Sequence, residues 1–300
     1  MKNLSFIFIA VLSLTMISCG SKVFLVTSGS ENLRSLTKIT DGKNNCTSPG
    51  GSVESNTLFF AMTVDYEQNI YKKENPVAPA QVQVTSGANC NYPTYCAATD
   101  RVAFARLVNY HYDIYMMPTA KGNALIPVTE TNSVDEIVPS LSKDGTLLAY
   151  QKGQLNSTDS EIWLKNILTG ENMLLGKGAT PSISPDGKKI AYAKIESRGS
   201  RNIWVMDIDG GNAQQLTVSK DEFAGFTKWS PNGTKIVFQS NKNKGNFDIF
   251  VMNANGTGLE QLTTNESEDL TPFWSKDGYI YISSDRGDKK GNYNIWRFSY

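Results

Sequence analysis

The chain has 300 residues, with 29 Lys plus Arg set against 29 Asp plus Glu. That balance offers no basic surface for phosphate backbones, so a nucleic-acid role has no support. With 40% hydrophobic residues, disorder is excluded too, and 24 Gly and 11 Pro read as many short strands joined by tight turns.

The N-terminus differs in kind from the rest. Lys2 precedes an apolar stretch over residues 4–17, which has the length of a signal-peptide core and is too short and Ser-interrupted for a membrane span. The stretch ends in Met16-Ile17-Ser18-Cys19-Gly20, which resembles a bacterial lipobox, with Met16 where that pattern prefers Leu. The resemblance implies that residues 1–18 are removed, that Cys19 receives the lipid, and that residues 19–30 form a tether. The alternative is an ordinary secretory signal cut nearby. Gly20 is not the Asp that retains enterobacterial lipoproteins at the inner membrane, which implies an outer-membrane anchor.

From residue 31 onward the chain repeats with a period of about 42 to 48 residues. Four copies carry a turn at Asp144-Gly145, Asp186-Gly187, Asn232-Gly233 and Asp277-Gly278. Each continues through an alternating apolar run to an Ile-aromatic pair: Ile162-Trp163, Ile203-Trp204, Ile249-Phe250 and Ile295-Trp296. Two weaker copies precede them, with Ile70-Tyr71 and Ile114-Tyr115 at the matching places. The turn residues supply positive φ and the runs suit a pleated face, so each unit reads as a four-stranded meander. Such a sheet buries its faces by radial stacking, as a propeller blade. The last copy stops after its third strand at Tyr300, and residues 33–40 (LRSLTKIT) read like the missing fourth. The expected fold is therefore all-β: a six-bladed β-propeller over residues 31–300, its last blade closed by the N-terminal strand, with no exposed edge.

The units 180–217 and 226–263, with Ser-Pro-Asp/Asn-Gly, Ile-Trp/Phe-Val-Met-Asp/Asn and Gln-Leu-Thr in order, resemble the propeller repeats of TolB and are similar to those of prolyl-oligopeptidase-type proteins. The likeness covers roughly residues 31–300 and implies a fold more than a function. TolB carries an α/β domain ahead of its propeller and is soluble in the periplasm; neither feature is read here, so a Tol-system role is not implied.

Reactive constellations are scarce. His111 is the single histidine; without a second there is no Ser-His-Asp triad beyond it, no Gly-x-Ser-x-Gly elbow occurs, and the His-rich metal shell of related pectin lyases cannot be built. Asp207-x-Asp209 fails as a calcium loop, because Val218 stands where the bidentate carboxylate belongs. Trp163, Trp204, Trp229, Trp274 and Trp296 recur at blade positions and read as inter-blade packing rather than a sugar platform. No metal or cofactor is expected.

Residues just before each first strand should ring one mouth of the channel. They include Asp135, Glu136, Asp221, Glu222, Glu268 and Asp269. Two readings stand: loop carboxylates capping turns, or an acidic funnel that receives a basic segment of a partner. Cys46, Cys90 and Cys96 are an odd count in an exported chain; Cys46 to Cys90 across a narrow mouth and Cys90 to Cys96 are the rival disulfides. The expected function is a lipid-anchored envelope scaffold that binds a protein or peptide without catalysis, as a monomeric propeller. The alternatives are a surface-exposed ligand or carbohydrate binder or adhesin, and a glycan-active enzyme using carboxylates such as Glu136 and Asp269.

Overall fold

The computed structural model describes residues 33–300 apart from 88, 120–123, 132, 197–198, 221 and 243–244. The signal peptide, the tether, Cys19 and Asp221 lie outside the described residues.

All described regular structure is strand, in six four-stranded antiparallel sheets. The first blade holds β2 (Asn45–Gly50), β3 (Leu58–Val64), β4 (Glu67–Lys73) and β5 (Val82–Gln83); the second holds β6 (Cys90–Cys96), β7 (Arg101–Val108), β8 (His111–Pro118) and β9 (Ile126–Pro127). The third runs β10 (Glu136–Leu141), β11 (Leu147–Lys152), β12 (Glu161–Asn166) and β13 (Asn172–Lys177), and the fourth β14 (Ala179–Ile183), β15 (Lys189–Ile195), β16 (Arg201–Asp207) and β17 (Gln214–Gln215). The fifth holds β18 (Ala224–Trp229), β19 (Lys235–Ser240), β20 (Asp248–Asn253) and β21 (Glu260–Gln261). The last is composite, as expected: β22 (Asp269–Trp274), β23 (Tyr279–Ser284) and β24 (Asn294–Ser299) are completed by β1 (Arg34–Lys38), which pairs antiparallel with β24.

The recurring letters have identifiable work. Ser-x-Asp/Asn-Gly closes the first hairpin: the Ser184 hydroxyl donates to Asp186 at 2.6 Å and accepts the Lys189 N–H at 2.9 Å, while Gly187 supplies a φ of 72°. The Thr of Leu-Thr clips the short fourth strand to the third. Thr217 accepts the Ile203 N–H at 2.9 Å and donates to Asn202, and Thr263 does the same for Ile249 and Asp248. Thr40 of the closing segment repeats this on Ile295 and Asn294, so the clasp is built like an ordinary blade.

Each innermost strand carries a β-bulge at a residue in the left-handed region: Ser48, Tyr92, Val138, Thr180, Phe226 and Thr271, with φ between 47° and 54°. Five of the six precede Pro, which disfavours αR for the residue before it. The bulge frees an N–H from the ladder, and a neighbouring blade takes it up: Ser48 donates to Ser283, Thr180 to Gln151, Phe226 to Thr180 and Thr271 to Gln239. The core lies between sheets, where Phe59, Phe60, Phe104, Tyr150, Tyr281 and Phe298 are fully buried.

Candidate functional site

In every blade the loop into the first strand and the hairpin joining the second and third strands emerge on the same face, and each hairpin is bonded there to the loop that enters the next blade. Asp135 accepts the Tyr112 N–H at 3.0 Å and Glu268 accepts that of Phe247 at 3.0 Å; Asn45 and Asn89 do the same for Tyr293 and Gln68. These side chains are hairpin tethers, the first of the two readings of the rim. Glu222 is partly exposed, and its carbonyl accepts the Arg201 N–H at 2.7 Å.

One residue further on, the pleat turns the side chain between blades. Glu136 is 1% exposed and faces Lys152 at 3.8 Å; burial pushes its carboxyl above the usual range. Asp269 is wholly buried against Arg286 at 2.6 Å, and burial raises its carboxyl although the guanidinium opposes the shift. The funnel expectation is thus corrected for Glu136 and Asp269: neither reaches the mouth. Of the described rim carboxylates, Asp135, Glu222 and Glu268 keep partial exposure.

Cys46 and Cys90 occupy that same inter-blade position, one on each side of the first blade, Cys46 packed with Ile295 and Tyr281, Cys90 with Ile70 and Phe104. Neither expected disulfide is present: Cys46, Cys90 and Cys96 are separate buried thiols, because the position points into a seam rather than across the channel. Burial pushes the Cys46 thiol up to about 12 and the Cys90 thiol to about 11, and Cys96 donates to the Lys143 carbonyl at 3.2 Å. His111 lies 3.8 Å from Asp135, and among the described residues no group of three His, Cys, Asp or Glu is placed to hold a metal. Trp229, Trp274 and Trp296 are buried as packing residues; Trp163 and Trp204 are partly open.

Two features escape the sequence reading. Tyr66 and Tyr110 stand at matching hairpin tips in adjacent blades, 99% and 94% exposed, with φ of 69° and 72° after Asp65 and Asn109 at 49°. The available signal was an Asp-Tyr and an Asn-Tyr dipeptide where a two-residue turn prefers Gly second. The other is the lining of the channel's waist, which is walled by Pro49, Pro93, Pro139 and Pro272 with Lys228 among them.

Six such sheets, their shared channel and the composite last blade define a closed β-propeller of the TolB type. The chain belongs to the TolB beta propeller domain family, whose model matches residues 112–243 and 180–299. It is similar to a structure assigned as TolB from Agrobacterium tumefaciens (19% identity, 88% of this chain and 96% of that one, TM-score 0.64). It is also similar to TolB from Acinetobacter baumannii (16%, 86% and 64%, TM-score 0.61) and to an oligogalacturonate lyase from Vibrio parahaemolyticus (14%, 88% and 93%, TM-score 0.58). At these identities the likeness establishes the fold alone. An uncharacterised peptidase of Bacillus subtilis, YuxL, is 32% identical over 87 residues, which are 26% of this chain and 13% of that protein.

Proposed function

We propose that the protein is a non-catalytic interaction scaffold of the bacterial cell envelope, tethered to the outer membrane through a lipid on Cys19, and that its partner docks on the hairpin face. The observation that carries this reading is the pair Tyr66 and Tyr110. A non-glycine residue in the left-handed region costs about 1–2 kcal/mol, and these two stand at equivalent tips almost fully exposed. Exposed, two-rotor aromatics of this kind suit partner contacts. Asp135 beside the Tyr110 hairpin, with Glu222 and Glu268 further around the same face, favours a partner with a basic segment.

Crosslinking in cells followed by capture and mass spectrometry tests the reading. Glycine suits both turn positions, so the Y66G/Y110G double variant keeps the fold; it should lower the dominant captured envelope protein tenfold or more, and C19S should release the protein from the membrane fraction. Capture unchanged in the double variant and after charge reversal at Asp135, Glu222 and Glu268 would sink the scaffold reading.

A surface-exposed carbohydrate binder is the second reading. It is favoured by a cavity of about 500 Å³ on the fourth blade, where the partly open Trp204 stands among Asn202, Gln215 and Lys194. Protease treatment of intact cells separates the two, since a periplasmic scaffold survives it. The carboxylate-enzyme alternative loses its pair, because Glu136 and Asp269 are sealed between blades.

A further inference from the structure

Two residues past each bulge, the six inner strands place Gly50, Thr94, Ser140, Ser182, Lys228 and Phe273 at one ring position. The fold needs little there. At Gly50 a Cβ would come within 2.0 Å of the Pro93 carbonyl oxygen, and at Ser140 a hydroxyl suffices to accept the Ile183 N–H at 3.0 Å. A four-carbon chain ending in an ammonium at Lys228 answers no requirement of the repeat.

Lys228 lines both axial cavities: the waist of about 20 Å³ and the wider pocket of about 60 Å³ at the mouth opposite the hairpin face. The lining of the two contains two lysines and no carboxylate. The other, Lys143, is paired with Glu54 at 3.0 Å. Lys228 has neither an ion pair nor a hydrogen bond among the described residues, and burial lowers its ammonium to about 8. It remains partly open to the channel. The waist beside it is mainly apolar, with its prolines and Tyr92 stacked on Phe226 at 5.9 Å, and the wider pocket sets Phe273 and Trp274 beside Ser52, Thr94, Ser142 and Ser184.

We propose that the axial channel is a binding site for a small carboxylate, its anionic oxygens on the Lys228 ammonium and its carbon body against the aromatic and proline walls. The one ammonium without a counter-charge matches a monoanion in charge, whereas a phosphate dianion would keep a second charge uncompensated. A desolvated cation without a counter-charge is an electrostatic debt that such a ligand removes. The site is on the opposite mouth from Tyr66 and Tyr110, so it stands or falls independently of the scaffold reading.

Trp229 and Trp274 line the same pocket and report on it. The full-length chain is titrated with sodium benzoate at constant ionic strength and pH 7, with benzamide as the neutral isostere, following tryptophan fluorescence. Benzoate should give a saturable change that benzamide does not. K228M should weaken it at least tenfold and K228R should retain it, with thermal unfolding showing both variants folded. The wild type needs no variant for the last arm: between pH 7 and pH 9 the charged fraction of a group titrating near 8 falls about tenfold, and apparent affinity should fall with it. The titratable groups facing Lys228 do not interfere, since burial holds Tyr92 and Tyr95 at about 12 and Glu54 neutralises Lys143. Equal saturation by benzamide, wild-type binding by K228M, or no saturation at all would overturn the proposal.

Discussion

Asp135 and Glu136, or Glu268 and Asp269, are neighbours in sequence and opposites in structure. Successive side chains on a strand point to opposite sides, so one member of each pair tethers a hairpin in the loop while the next is driven between blades. Asp269 and Arg286 are 0% and 5% exposed in their side chains and meet at 2.6 Å, a geometry in which removing one partner strands the other. D269N should therefore lower stability by about 3–5 kcal/mol in urea unfolding, whereas D269N/R286M, which removes both charges, should recover most of that loss. An effect within about 0.5 kcal/mol for D269N would mean that water reaches the pair. The acidity of the rim was legible in the sequence, but its direction was not. Pattern reading places a residue on a strand to within a position or two, and a slip of one residue exchanges a solvated carboxylate for a buried one. The same slip undid the disulfide expectation at Cys46 and Cys90.

At the scale of elements, the legible part was what repeats. Asp-Gly turns, Ile-aromatic pairs and Leu-Thr endings each do one local job, so their spacing alone located the blades and the composite closure. The bulges stayed hidden because Ser48, Tyr92, Val138, Thr180, Phe226 and Thr271 share a backbone conformation and no chemistry, and the Pro that follows five of them fits plain extended backbone equally well. The third blade departs from the Thr clip, and there the fourth strand β13 is six residues long rather than two, replacing a side-chain clip by more ladder. The clip matters most at the closure, where β1 and β24 come from opposite ends of the described residues. Thr40 is buried, accepts the Ile295 N–H at 3.1 Å and donates to Asn294 at 2.9 Å. T40V leaves both groups unpaired and should cost about 1–3 kcal/mol. T217V, in the continuous fourth blade, should cost a similar amount in equilibrium unfolding. Hydrogen exchange should separate them, with T40V speeding exchange of the amides of β1 and β24 selectively. Uniform acceleration across all blades would show that the ring opens elsewhere first.

For the molecule as a whole, the channel is where local consistency gives way. The blades bury their apolar runs and oppose the buried carboxylates Glu136 and Asp269 with Lys152 and Arg286, yet the axis they enclose holds the ammonium of Lys228 without a counter-charge. Because burial lowers this group to about 8 from 10.5, the unfolded chain binds the proton more tightly than the folded one. Stability from this residue therefore rises with pH through the window from about 8 to 10.5, and below pH 8 the penalty is present in full. K228M keeps much of the stem and removes the charge. At pH 7 it should be more stable than wild type by about 2–3 kcal/mol, a figure reduced from the full shift because the lysine partly meets channel water. The difference between the two proteins, measured by urea unfolding at successive pH values, should shrink between pH 8 and 10.5. Taking the difference removes the buried tyrosines, whose raised values act on both proteins alike. Saturating benzoate should close the same gap at pH 7 by stabilising wild type alone. If K228M is no more stable than wild type at pH 7, the ammonium is already well solvated in the channel, and the axis carries no stored electrostatic cost for a ligand to relieve.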